Sequence, residues 1–329
     1  MLAYDDYFSD NGAIRWLPYV MYFQPPDHRS SVVSTDSRGF RFSTCGDEPI
    51  SVDDAEQRGT VNIVAGSSTV FGIGASSDAA TLPSRLNFHR PAWSDPWINM
   101  GGRSHNSAQE LILHVLLRHH FPKVGRIVLL SGFNDLGLAR LPAPLRFESG
   151  GFFSSTTFFD RLDGPLAAGH RFRHRPRPEG PRIRGPTDEE QPFDVDQQLH
   201  YAADLVLRHL DIWRALAQDA EVELTYVLQP LAGWVREWGC REEQILFAHL
   251  DRRGRFGEMY GDILGRDVGQ AYANLLRDGC QRMGVGFTDL TPLVAAALEP
   301  TDWMFVDRIH FTDFGYDLAA RLLLDHVLR

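Results

Sequence analysis

An alternation of buried strands and amphipathic helices begins at Val61 and sets the class of fold. In VNIVAGSSTVFGIG (61–74), Val61, Ile63 and Val64 read as a buried strand, and Gly66, lacking a Cβ, permits a tight turn into a helix. Pro96–Met100 reads as a second strand ending on Gly101-Gly102, and Arg126–Ser131 as a third ending on Gly132-Phe133-Asn134-Asp135. A short helix is expected over Thr81–His89. Another runs from Ser107 to His120, opened by a capping box of Ser107 with Glu110 and carrying Ala108, Leu111, Ile112, Val115 and Leu116 on one face. Beyond them the pattern predicts a helix over about Gln198–Gln218, a strand at Glu223–Leu228, and helices near Arg241–Asp251 and Asp267–Met283. A fifth strand at Gly286–Leu290 and a last helix from about Thr312 complete it. Short loops between alternating elements demand right-handed crossovers, hence a parallel sheet flanked by helices. The expected architecture is α/β, a three-layer α/β/α sandwich around a mainly parallel five-stranded sheet.

Composition narrows the functions such a fold can serve. The 329 residues, 43% of them hydrophobic, are ample for a large core. A net charge of −10 argues against nucleic acid as a partner, because binding it needs clustered Lys and Arg. Three widely spaced cysteines, Cys45, Cys240 and Cys280, lack CxxC spacing and read as buried free thiols. The first ten residues hold three aspartates and no basic region ahead of an apolar one, so a signal peptide is not expected. No run of 18 apolar residues suggests a membrane span, and a cytoplasmic location is expected.

Two kinds of segment fall outside the alternation. Residues 1–60 are rich in aromatic and turn residues and read as an irregular N-terminal layer packed on the core, with a short strand near Gly39–Ser43. Residues 61–329 form the main domain, interrupted by lid-like insertions at about 142–197 and 231–251. The first insertion carries six arginines between Arg171 and Arg184, a local reversal of charge in an acidic chain. Either it is a solvated loop, or Arg171, Arg173 and Arg175 hold an anionic substrate group.

In a sheet of this kind ligands bind at the carboxyl ends of the strands. Those ends supply Ser67-Ser68, Gly101-Gly102 and Asn134-Asp135, and Asp307-Arg308-Ile309-His310 precedes the last helix. A serine hydroxyl is a poor nucleophile until a base takes its proton, and the base needs a partner that fixes its tautomer. His310 and Asp307, three residues apart, fit these roles opposite Ser68. Preorganised donors must meet the developing oxyanion, and the candidates are the N–H groups of Ser68 and Gly101 and the amide of Asn134. Other site motifs fail on their own residues. Val70 stands where an α/β-hydrolase elbow needs glycine; no Gly-Lys-Ser/Thr forms a P-loop, and Gly72-Ile73-Gly74 is too short for a dinucleotide fingerprint. No HExxH or paired Cys/His cluster suggests a metal, and no cofactor is expected.

The ordered set Gly66-Ser67-Ser68, Gly101, Gly132-Phe133-Asn134-Asp135 and Asp307-Arg308-Ile309-His310 resembles blocks I, II, III and V of the SGNH (GDSL-type) hydrolase superfamily. Ser34–Phe42 and the stretch INMGGRSHNSAQE also resemble segments of its bacterial members. The resemblance implies a flavodoxin-like SGNH hydrolase fold, with Ser68 as nucleophile, His310 as base, Asp307 orienting it, and Ser68, Gly101 and Asn134 forming an oxyanion hole. Ser67 stands where that family usually has Asp or Gly, so both serines come into question; counting back from Phe71-Gly72 favours Ser68. The implied activity is cleavage of a small ester or thioester through an acyl-enzyme. Acyl transfer to an amine or alcohol on the same residues is the alternative, and a non-catalytic binding module is a third reading.

Overall fold

The computed structural model describes residues 15–17, 19–91, 94–141, 146, 193–253 and 256–328. Arg171, Arg173 and Arg175, with most of the first expected insertion, lie outside the described residues. The N-terminal part contributes two small antiparallel pairs. β1 (Arg15–Leu17) pairs with β2 (Met21–Phe23), and β3 (Ser43–Cys45) with β4 (Glu48–Ile50). The strand expected at Gly39–Ser43 instead starts at Ser43, because the Asp36 carboxylate gathers the N–H groups of Arg38, Gly39 and Phe40 into a turn. A short helix, α1 (Ala55–Arg58), leads into the main sheet.

That sheet is made of β5 (Thr60–Gly66), β6 (Trp97–Gly101), β7 (Lys123–Ser131), β8 (Glu223–Leu228) and β9 (Gly286–Asp289). The order is β6-β5-β7-β8-β9 and every pairing is parallel. β7 starts three residues before the expected Arg126. Its register against β5 shifts between the Val61–Val124 and Ile63–Ile127 pairs, so an irregularity at Gly125 hides the strand's beginning in the sequence.

Helices cover both faces. α2 (Ser68–Phe71) and α3 (Leu82–His89) follow β5; α4 (Ser107–Leu117) follows β6; α5 (Phe133–Ala139) and the long α6 (Val195–Asp219) follow β7. After β8 come α7 (Ala232–Val235), α8 (Arg241–Arg253), α9 (Phe256–Tyr260) and α10 (Arg266–Met283); α11 (Leu290–Ala297) and α12 (Asp313–His326) follow β9. Alternate strand residues point to opposite faces and build two cores. Ile63, Ala65, Ile127 and Leu129 pack with Leu111, Ala202 and Leu276 from α4, α6 and α10. Val64, Val128 and Leu130 pack on the other side with Leu86, Val294 and Leu322 from α3, α11 and α12. The sequence pattern did not anticipate α11. It placed the start of α6 three residues late, because the opening turn is polar and is held by a capping box of Asp194 with Gln197. Residues 195–197 are thus helix.

The N-terminal layer touches the carboxyl edge of the sheet. Gln24 Nε2 donates to Gly101 O, and the buried Arg41 guanidinium donates to Gly72 O at 2.7 Å and pairs with Asp78. Among the described residues no helix is long and apolar enough to cross a membrane.

Candidate active site

β5 and β6 end level with each other, Gly66 beside Gly101. A Cβ on Gly101 would come within 2.1 Å of the Phe71 backbone nitrogen, so only glycine lets the end of β6 lie under α2. Asn99 fastens the same joint: its Nδ2 donates to Val70 O and its Oδ1 accepts the Gly101 N–H, both at 2.9 Å. Of the two serines at the turn, Ser67 is the buried residue before the helix, and Ser68 is the first helical residue. Ser68 Oγ lies 2.7 Å from His310 Nε2.

His310 is held by a short β-like loop. Phe305 and Phe311 form an antiparallel bridge, and Val306 N–H donates to His310 O. Within the loop Asp307 Oδ1 accepts the N–H groups of Ile309 and His310 at 2.7 and 2.8 Å, while Oδ2 lies 2.7 Å from His310 Nδ1. Beside a carboxylate Nδ1 carries the proton, which leaves Nε2 to accept from Ser68. Burial alone would raise the Asp307 carboxyl, but the charge of His310 and its side-chain and backbone hydrogen bonds outweigh burial and hold it below the usual value.

One residue that sequence reasoning missed supports this loop. Glu243, fully buried on α8, accepts the N–H groups of Met304 and Phe305 at 2.9 Å through Oε1 and pairs with Arg236 through Oε2. A carboxylate in the expected 231–251 insertion carries no local sign that it will anchor a backbone segment 61 residues on.

Asn134 sits in the first turn of α5, after Gly132 at φ +122°. A side chain at Gly132 would meet both that backbone geometry and Leu228 Cδ1 at 2.7 Å. Asn134 Nδ2 donates to His105 O at 2.6 Å, which ties it to the loop between β6 and α4. An amide nitrogen carries two hydrogens, so this bond uses one. The expectation for Gly101 as an oxyanion donor is corrected here: its N–H is taken by Asn99. Along the same loop the N–H groups of Gly102, His105, Asn106 and Ser107 go to Gly66 O, Gly102 O, Gln109 Oε1 and the Asp135 carboxyl. Ser104, in the middle of that loop, has φ +65°, a region that costs a non-glycine residue about 1–2 kcal/mol.

The cap of α4 also differs from the expected one. Asn106 is the N-cap and pairs with Gln109, whereas the Ser107 hydroxyl donates to Asp135 Oδ1 at 2.6 Å and lies 2.8 Å from His209 Nδ1. Asp135 is fully buried, and leaving its carboxyl without donors would cost more than moving the cap by one residue. Burial pushes Asp135 up to about 7, against the pull of the Ser107 hydroxyl and N–H. Burial and the Asp135 charge push the neighbouring Glu110 well above its usual value, against a hydrogen bond from Ser131. The folded chain therefore binds more protons than the unfolded one between pH 3.8 and about 7, and stability falls as pH rises across that window. Asp135→Asn keeps an acceptor for Ser107. It is expected to flatten this slope and to be more stable than the wild type above pH 7 by on the order of a few kcal/mol. Urea midpoints measured from acid to neutral pH check it; an unchanged slope would assign the titration elsewhere.

Among the described residues no group of three or more His, Cys, Asp and Glu side chains could hold a metal ion. Cys240 and Cys280 are buried as expected, while Cys45 is only half-buried, beside Arg90 Nη2.

No protein-family model matches the chain, and no curated protein does. Several solved structures do. One is a member of the lipolytic G-D-S-L family from Veillonella parvula (12% identity, TM-score 0.45), covering 82% of this chain and 99% of its own. An acetyl xylan esterase (14%, TM-score 0.40) gives the same coverage. A lipase/acylhydrolase from Enterococcus faecalis (11%, TM-score 0.41) covers 82% of this chain and 94% of its own. The four sequence blocks, Gly66–Ser68, Gly101, Gly132–Asp135 and Asp307–His310, resemble those of the GDSL (SGNH) lipolytic family.

Proposed function

We propose that the protein is a serine hydrolase that cleaves an ester or thioester through an acyl-enzyme. The observation that carries this reading is the unbroken hydrogen-bonded chain from Ser68 Oγ through both ring nitrogens of His310 to Asp307, each link 2.7 Å. His310 Nε2 takes the Ser68 proton as Oγ attacks the carbonyl carbon. The tetrahedral intermediate collapses when the same proton passes to the leaving oxygen or sulfur, and the alcohol or thiol departs. Water then gives a proton to Nε2 and its hydroxyl to the acyl carbon, Ser68 regains a proton, and the acid is released. Asp307, held ionised, keeps Nδ1–H in place throughout.

Charge on the carbonyl oxygen is met by the Ser68 N–H, which has no carbonyl four residues back within α2, and by the second hydrogen of Asn134 Nδ2. With Gly101 committed to Asn99, the loop supplies the Ser104 N–H instead, and this role gives a reason for the strained backbone there. A fluorophosphonate probe tests the reading. Intact-mass and peptide spectra are expected to show one adduct, on the peptide that holds Ser68, and none on Ser68→Ala. An adduct on another serine, or none on folded protein, rejects it.

A further inference from the structure

Beside His310 lies a cleft of about 430 Å³, within the usual range of small-molecule sites. Its walls are Phe247 and Leu250 of α8, Phe256 of α9, and Ile309; His310 and Asp307 line the same space. The remaining polar groups there are Arg308 and Asp251, which pair with each other, and the Arg308 guanidinium also lies 5.2 Å over the Phe247 ring. Asp307 is occupied with His310 and its own loop. A sugar or an ionic group entering the cleft would lose its hydration against apolar walls, where the charge of Arg308 is already balanced by Asp251 and its guanidinium lies over Phe247. A hydrocarbon would lose nothing. Phe256 also packs against Phe133, at 6.2 Å between ring centroids, so the apolar wall runs from the histidine loop to the turn that carries Asn134. A carbonyl held between Ser68 and Asn134 can therefore extend a substituent along this wall.

From this continuity, and resting on the hydrolase reading above, we propose that the cleft binds an unbranched hydrocarbon arm of the ester, so that medium-chain esters are preferred over acetyl esters. Each methylene buried there is worth up to about fourfold in kcat/KM. α8, most of which lies in the expected 231–251 insertion, and α9 supply the wall and build a chain-length ruler beside His310.

Two substrate series with the wild-type protein test the proposal and locate the arm. In the first, p-nitrophenyl acetate, butyrate and octanoate vary the acyl side; in the second, ethyl, butyl and octyl acetate vary the alcohol side. An increase in kcat/KM of at least about tenfold along one series is expected, and the series that rises identifies the side. Equal values along both overturn the proposal, while phosphonate labelling of Ser68 would leave the hydrolase reading standing. Leu250→Asp is expected to cut the octanoate-to-acetate ratio of kcat/KM by at least about tenfold. Because it is a ratio, it does not depend on the folded fraction, and an unchanged value counts against the cleft. Should no ester be hydrolysed, calorimetry with n-octanol and ethanol on Ser68→Ala decides separately: saturable binding of octanol alone supports the cleft, and none overturns it.

Discussion

Ser68→Ala is expected to lower kcat for a p-nitrophenyl ester by about 10⁴- to 10⁶-fold while leaving the fold intact. Among the described residues the hydroxyl's hydrogen-bond partner is the imidazole of His310, at 2.7 Å, so its loss opens no cavity of consequence and strands no buried group. Thermal stability should stay within about 0.5 kcal/mol of wild type. What disappears is the covalent route. On the proposed mechanism the residual rate, above water alone, comes from the donors at Ser68 N–H, Asn134 and Ser104 N–H, which a mutation at Oγ does not remove. Single-turnover kinetics with matched circular dichroism provide the check. A variant retaining a tenth of the activity would show that another residue attacks.

Asp307→Asn should cost about 10⁴-fold in kcat, for a different reason. An asparagine can keep the Oδ1 contacts to the N–H groups of Ile309 and His310, so the loop keeps its shape. Its amide hydrogens, however, face Nδ1, which must then become the acceptor, and the ring proton moves to Nε2. The ring is now in the wrong tautomer to receive the Ser68 proton. Loss of the carboxylate also removes the stabilising charge beside the imidazolium that forms in the transition state. Because the Asp307 carboxyl is held below its usual value in the fold, its stabilising contribution is present above the unfolded value of 3.8 and fades as pH falls through the folded one. The stability gap between variant and wild type should accordingly close in acid. Nitrogen-15 spectra of the His310 ring would report the tautomer directly. A normal tautomer combined with a slow enzyme would reject this account.

Much of the molecule was legible in its sequence. Glu223–Leu228 is a strand with the expected ends, and Thr312 caps the last helix where the pattern has it begin. Buried parallel strands are runs of Val, Ile and Leu, and helices repeat every 3.6 residues, so both write themselves into short windows. Ends blurred where that local signal failed, as at Gly125 in β7 and in the polar first turn of α6. Ser68, His310 and Asp307 came together because each stands at a strand end or in a loop on the same edge of the sheet.

The chain's own pattern of residues thus determined the α/β class, the edge at which chemistry is expected, and the pairing of a serine with a distant Asp-x-x-His. Packing decided which groups remain available there. Gly101 N–H goes to Asn99, the α4 cap moves to Asn106 because buried Asp135 claims Ser107, and Glu243 reaches across to hold the segment before Asp307. The cleft beside His310 exists only where α8 and α9 meet the histidine loop. The division has one cause. Periodicity is set by a residue's neighbours in sequence, whereas a buried donor or acceptor must be satisfied by whatever the fold brings within about 3 Å, and that partner is most often far away in the chain.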